Sequence, residues 1–233
     1  MDIKANPSLA IVIPVFNEAK VLPKALKSLA ELSMDSPDSI IFVDGGSTDQ
    51  SRELIHEHGF ECLQCESGRA KQMNFGTETT ESDIILYLHV DTSISSSNIS
   101  SIKKSYNYGF LSGRFDITFT NSSITYRIIS FFINVRSRFS KISTGDQAIF
   151  IRRDIFEKIG GFPDIPLMED ITISNKLKRL GKVACLKDTV TTSSRRWEKN
   201  GVIHTITLMW KIRLLYWLGI DPEKLAAMYR NTR

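Results

Sequence analysis

The strongest constraint on the fold is a rhythm in the N-terminal part of the chain. Residues 9–16, 40–43, 60–65 and 83–88 are short runs rich in β-branched and apolar side chains, and they read as buried strands. Between them apolar residues recur at helical spacing: Val21, Leu22, Ala25, Leu26 and Leu29 within residues 19–32, then a segment running to His58, then residues 70–80. Ser47 or Thr48 is the expected N-cap of the second of these helices. Repeated strand-then-helix units imply parallel strands joined by crossovers, hence an α/β, doubly wound, mostly parallel sheet with helices on both faces.

Beyond Asp91 the rhythm changes. A polar helix is expected over 95–106, an alternating, antiparallel-type strand over 109–120, an amphipathic helix over 124–139 and a strand over 147–152. A turn at Gly160-Gly161-Phe162-Pro163 precedes a helix over 169–180 that Gly181 terminates. Two short strands (183–186 and 190–192) lead to a long apolar-basic helix over 202–218, and Asp221-Pro222 opens a last short helix. No repeat, low-complexity tract or linker interrupts the chain. Residues 1–233 therefore read as one domain in two halves, about 1–92 and 93–233, the second a smaller, partly antiparallel portion.

The net charge of +4 is mild and no long Lys/Arg block is present, which argues against a nucleic-acid partner. Three cysteines, with Cys62-x-x-Cys65 unaccompanied by a second pair, read as ordinary half-buried thiols in a reducing, cytoplasmic setting. No export signal or membrane-length apolar stretch is apparent; residues 202–220 contain His204, Lys211 and Arg213. Residues 126–138 and 210–218 mix aromatic and basic side chains. Interfacial helices with peripheral membrane contact and core helices with snorkelling cations both fit that pattern, and the core is the favoured reading.

Acidic groups collect where the strands end. Pro14-Val-Phe-Asn-Glu18 closes the first strand; Glu18 suits hydrogen bonds from a ribose or base, or simply a helix start. Asp44 ends the second strand before Gly45-Gly46, a turn that lets backbone approach a ligand. No GxGxxG follows the first strand, which argues against a dinucleotide enzyme. Phosphate charge must then be met by a metal together with Arg or Lys, with Arg69 and Lys71 as helpers. Asp91, at the exit of the fourth strand in His89-Val-Asp91, is the expected ligand for Mg²⁺ or Mn²⁺. His89 fits ligation of a softer ion, a ribose hydrogen bond, or plain packing. Glu169-Asp170 supplies an acid–base candidate at a helix start. Arg195-Arg196-Trp197 offers cationic forks and an indole face. Gly145-Asp146-Gln147, before a strand, suits sugar hydroxyls.

In order and spacing these motifs, from Leu9 to about Trp197, resemble glycosyltransferase family 2, whose members have the glycosyltransferase A fold. The resemblance implies that Pro14, Glu18 and Asp44 belong to a nucleotide pocket, with residues 1–92 the nucleotide-binding half and 93–233 the acceptor and catalytic half. It makes Asp91 the last acid of the family's Asp-x-Asp metal motif and Asp170 the catalytic base of its Glu-Asp motif. Arg196 and Trp197 match the end of the Gln-x-x-Arg-Trp motif. Two positions depart: His89 replaces the first Asp, and Ser193 stands in place of the Gln. The Gly68-Arg-Ala-x-Gln-Met-Asn74 segment, His-x-Asp and Gly-Asp-Gln are similar to the radical-SAM/selenodomain-associated transferases. The implied reaction is metal-dependent, inverting transfer from a UDP- or GDP-linked sugar to a hydroxyl acceptor, lipid-linked acceptors included. Arg69 and Arg196 would assist the leaving group. The rivals are a non-catalytic sugar-nucleotide-binding module and a sugar nucleotidyltransferase; retention of Asp91 and Asp170 and the Gly-poor first loop argue against them.

Overall fold

The computed structural model describes residues 6–33 and 38–230. Its centre is a seven-stranded sheet in the order β3-β2-β1-β4-β6-β5-β7. Strands β1 (Leu9–Val15), β2 (Ser39–Asp44), β3 (Glu61–Gln64) and β4 (Ile84–Tyr87) are mutually parallel, as the N-terminal rhythm requires. Their crossovers are α1 (Leu22–Ser33), α2 (Ser51–Glu57) and α3 (Arg69–Glu78). After α4 (Ser96–Asn107) comes β5 (Ser112–Phe119) at the far side, followed by α5 (Ile124–Ser140). Strand β6 (Ile149–Arg152) then inserts between β4 and β5, antiparallel to both. Helices α6 (Arg153–Ile159) and α7 (Glu169–Leu180) precede the edge strand β7 (Val183–Thr192), which runs parallel to β5. Three helices, α8 (Arg195–Asn200), α9 (Val202–Trp217) and α10 (Pro222–Arg230), complete the described chain.

Alternate residues of each central strand face opposite sides. Leu9, Ile11 and Ile13 of β1 pack with Leu22, Leu26 and Leu29 of α1 and with Ile99 and Ile102 of α4. Ala10 and Val12 face Ala70 and Met73 of α3, Phe156 of α6 and Ile173 and Leu177 of α7. A third, smaller cluster ties Met168, just before α7, to Ile212 of α9 and Leu225 of α10. Burying apolar side chains on both faces accounts for the near-continuous apolar reading of the parallel strands.

Several local expectations are corrected. Helix α2 begins at Ser51, not at Ser47 or Thr48. The Asp44 carboxylate accepts the Gly46 and Ser47 amides and holds those residues in the turn, while Asp49 accepts the Ser51 amide at 3.0 Å. Helices α6 and α8 appear in stretches where no element was expected; each is too short to show a full apolar period. The two C-terminal strands are one, β7, bent where its register against β5 shifts between Phe115 and Asp116. Strand β5 is antiparallel to β6 only.

The core reading of the two aromatic-basic helices is also corrected. Phe139 of α5 is 86% exposed, and Trp210 and Trp217 of α9 are 73% and 80% exposed. Each helix lies at the periphery and buries one narrow stripe, Tyr126 and Ile129 in α5 and Thr205 and Ile212 in α9. Among the described residues, no helix is long and apolar enough to cross a membrane.

Candidate functional site

The C-terminal ends of β1 and β4 face the turn before β6 and the first residues of α7 across a narrow cleft. Pro14, Arg69, His89, Gly145, Glu169 and Asp170 line it, with Met73, Tyr87 and Phe162 as its apolar wall. This is the crevice outside the strand carboxyl ends where open α/β sheets bind ligands.

Arg69, the first residue of α3, is the hub. Its Nη1 donates to Glu169 Oε1 at 3.2 Å, and its Nη2 lies against both ring nitrogens of His89, with Nδ1 at 3.1 Å. Burial, reinforced by the Arg69 cation, holds the His89 imidazole well below its ordinary pKa, so the ring is neutral. In this geometry the ring serves Arg69, and ligation of a metal requires that guanidinium to move away. Glu169 is buried; desolvation pushes its carboxyl up, Arg69 opposes that, and the neighbouring Asp170 adds to it.

Asp170 is fixed by the backbone. Its Oδ2 accepts the Gly145 amide at 3.0 Å and its Oδ1 accepts the Ile171 amide at 2.7 Å. Burial raises its pKa, against the lowering effects of Arg69 and these two amides. Gly145 is there because nothing larger fits: a Cβ would strike the His89 ring and come within 3.1 Å of Arg69 Nη2. Two non-glycine residues in left-handed backbone flank the site, Ala148 (φ 49°) after the Gly145–Gln147 turn and Met168 (φ 73°) before Glu169. Their burial among neighbouring side chains holds them there.

Asp91 stands one turn past β4. Desolvation raises its pKa and nearby Asp146 adds to that, whereas Arg195, with Nη2 3.8 Å from Asp91 Oδ2, opposes both. Asp146 Oδ1 is buried and has no hydrogen-bond partner among the described residues. No three His, Cys, Asp or Glu side chains gather as a ready-made metal set among those residues. The oxygen donors present instead suit a hard cation that takes one or two carboxylates and completes its shell with phosphate oxygens.

The remaining sequence candidates are placed as follows. Asp44 is fully buried and its carboxylate organises its own turn. The Glu18 amide donates to Ser51 Oγ at 2.9 Å and Asn17 Oδ1 accepts the Thr48 amide, so the loops after β1 and β2 are stitched together. Lys71 turns away to Glu66 and Asp164. Arg196 stacks on the Tyr229 ring, 3.9 Å from its centroid, and Trp197 packs edge-on against Phe119. The arginine that faces Asp91 is therefore Arg195. Sequence reasoning also passed over Arg136 of α5 and Arg213 of α9, whose charges reach Asp146 and Asp170. The cations Lys211 and Arg213 within the otherwise apolar run 202–217 were the available signal for Arg213.

A doubly wound sheet with an acidic, arginine-braced cleft at its switch point defines a class of transferases with the glycosyltransferase A fold. Residues 10–160 match Glycosyl transferase family 2, and the chain belongs to that family. It is 25% identical over 174 residues to the glycosyltransferase AglE of Haloferax volcanii, covering 68% of this chain and 57% of that protein. Among solved structures, the mannosyltransferase PcManGT of Pyrobaculum calidifontis, in complex with GDP-Man and Mn²⁺, superposes with a TM-score of 0.65 at 17% identity, over 91% of this chain and 62% of that one. TarS of S. aureus in complex with UDP-GlcNAc gives a TM-score of 0.63 at 17% identity, over 80% and 58%. The chain spans about half the length of the curated relatives it matches.

Proposed function

We propose that the protein transfers a sugar, with inversion, from a nucleotide-diphosphate donor to a hydroxyl acceptor. The observation that carries this reading is Asp170: a half-buried carboxylate of raised pKa, held by two backbone amides and lining a cleft with Arg69. Each of its oxygens keeps a second lone pair for a substrate proton. Asp170 takes the proton of the acceptor hydroxyl as that oxygen bonds to the anomeric carbon; the bond from that carbon to the diphosphate oxygen breaks on the opposite face. Glu169 fixes Arg69, which with Arg195 meets the charge that builds on the departing nucleotide. Asp91 would hold Mg²⁺ or Mn²⁺, which when bound neutralises the diphosphate. Pro14, Glu18 and Asp44 would then lie around the nucleotide, as the family resemblance implies, and the complexes of PcManGT and TarS with GDP-Man and UDP-GlcNAc support a donor of that class.

The exposed aromatic and basic faces of α5 and α9 support peripheral contact with a membrane and an acceptor presented there. Three unpaired cysteines support a cytoplasmic setting. Calorimetric titration with UDP and with GDP, each with Mn²⁺, Mg²⁺ or chelator, tests the donor reading. Metal-dependent binding of one nucleotide, with slow hydrolysis of its sugar derivatives, is expected. Absence of binding under every condition would overturn it.

A further inference from the structure

Resting on the transfer reading above, one cluster beside the base indicates what the acceptor must carry. The arginines around β5 and α5 divide into two kinds. Arg114 pairs with Asp116 and donates to the Asn134 carbonyl at 3.2 Å. Arg138 holds Asp116 at 2.6 Å and the Cys185 carbonyl at 2.9 Å. Both are held by Asp116 and serve the fold, although Arg114 Nε is itself sealed without a hydrogen-bond partner among the described residues. Arg136, between them in sequence, has Nε and Nη2 sealed from water with no hydrogen-bond partner among the described residues. Arg213 of α9 forms no ion pair among those residues, and its charge reaches Arg136.

Leaving guanidinium donors buried and unmade is costly, the more so because the group is charged. Such donors on Arg136, with the unpaired Arg213 cation within electrostatic reach, mark a place where an anion completes the structure. Asp146 Oδ1, within their electrostatic reach, is the matching orphan acceptor and asks for a hydroxyl. Arg69 and Arg195, beside His89 and Asp91, already supply cations to the proposed donor side. Arg136 and Arg213 come from α5 and α9 in the second half of the chain.

We infer that the acceptor bears an anionic group, a phosphate or carboxylate close to its attacked hydroxyl, and that Arg136 and Arg213 bind it as a two-armed subsite beside Asp170 and Asp146. A phosphate reaches such a site either on a small soluble molecule or as the headgroup of a lipid.

The test titrates native protein, saturated with UDP, with methyl phosphate on one arm and with phosphatidic acid vesicles on the other, using phosphatidylcholine vesicles as the blank. Binding on at least one arm is expected, weakened tenfold or more in both Arg136→Met and Arg213→Met, with UDP affinity within twofold of native in each. Binding of methyl phosphate assigns a soluble acceptor; binding of phosphatidic acid vesicles alone assigns a lipid-borne one. UDP binding also shows that each variant is folded, and Arg136→Lys, which keeps the charge, should recover part of the loss. Indifference of native protein to both probes, or equal binding by both variants, overturns the inference. A parallel loss of UDP affinity reassigns the pair to the donor diphosphate and overturns it too. Phosphate binding by a native protein that ignores UDP and GDP overturns instead the transfer reading, and the acceptor label with it.

Discussion

At the residue scale the site is a set of buried and half-buried groups held away from their ordinary ionisation. Asp170 must be ionised to accept a proton, and burial raises its pKa, so the acid limb of kcat should lie above the usual carboxylate range. A pH–rate profile checks this; a limb at an unperturbed carboxylate value would refute it. The sign for stability is opposite. A carboxyl whose folded pKa is raised stabilises the fold most below its unfolded pKa, and that contribution is lost as pH rises through the folded one. Asp170→Asn should thus remove at least 100-fold of transfer while melting no lower than native protein at pH 8, with its relative advantage shrinking towards pH 4. Gly145→Ala is the steric counterpart: its methyl would displace His89 and press on Arg69. Activity should fall at least tenfold with the circular-dichroism spectrum unchanged, and a native-like rate would show that the ring has room to retreat.

At the element scale, α7 is set by what lies behind it. Met168, in left-handed backbone, packs against Ile212 and Leu225, and Thr172 Oγ1 meets Tyr216 Oη at 2.6 Å. Helices α9 and α10 therefore brace the segment that presents Glu169 and Asp170. Tyr216→Phe deletes that one polar link and should cost about 0.5–1.5 kcal/mol in urea unfolding. A change within error would show that α9 is held by apolar contact alone. The positions of Arg69, His89, Glu169 and Asp170 were legible in the sequence because strand exits and helix starts are what apolar periodicity marks best. Arg195 was not separable from Arg196. The six-residue α8 decides which of the two adjacent arginines turns to Asp91 and which to Tyr229, and so short a helix leaves no period to read. Arg136 and Arg213 were hidden for another reason: they reach the site from helices distant in sequence, and only tertiary packing brings them together.

On the scale of the whole molecule, the parallel half followed directly from alternation of strand and helix. The insertion of β6 between β4 and β5 did not, since pairing between strands far apart leaves no local trace. Composition was equally silent on the outer faces of α5 and α9, where an apolar-basic helix reads the same whether buried or exposed. The exposed Trp210 and Trp217 predict sedimentation with anionic vesicles, lost in a Trp210→Ser/Trp217→Ser variant that still binds nucleotide. Equal sedimentation of native and variant protein would assign that face elsewhere.

The sheet order also governs the chain while it is being made. All four residues of β4 are apolar or aromatic and buried on both faces, yet its partner on one side, β6, begins only at Ile149. A ribosome that has released the first strands and not yet β6 displays an open, sticky edge on its nascent product. Translation that stalls in that interval should yield insoluble fragments, so that steady elongation through β6 is part of what guards this chain against aggregation.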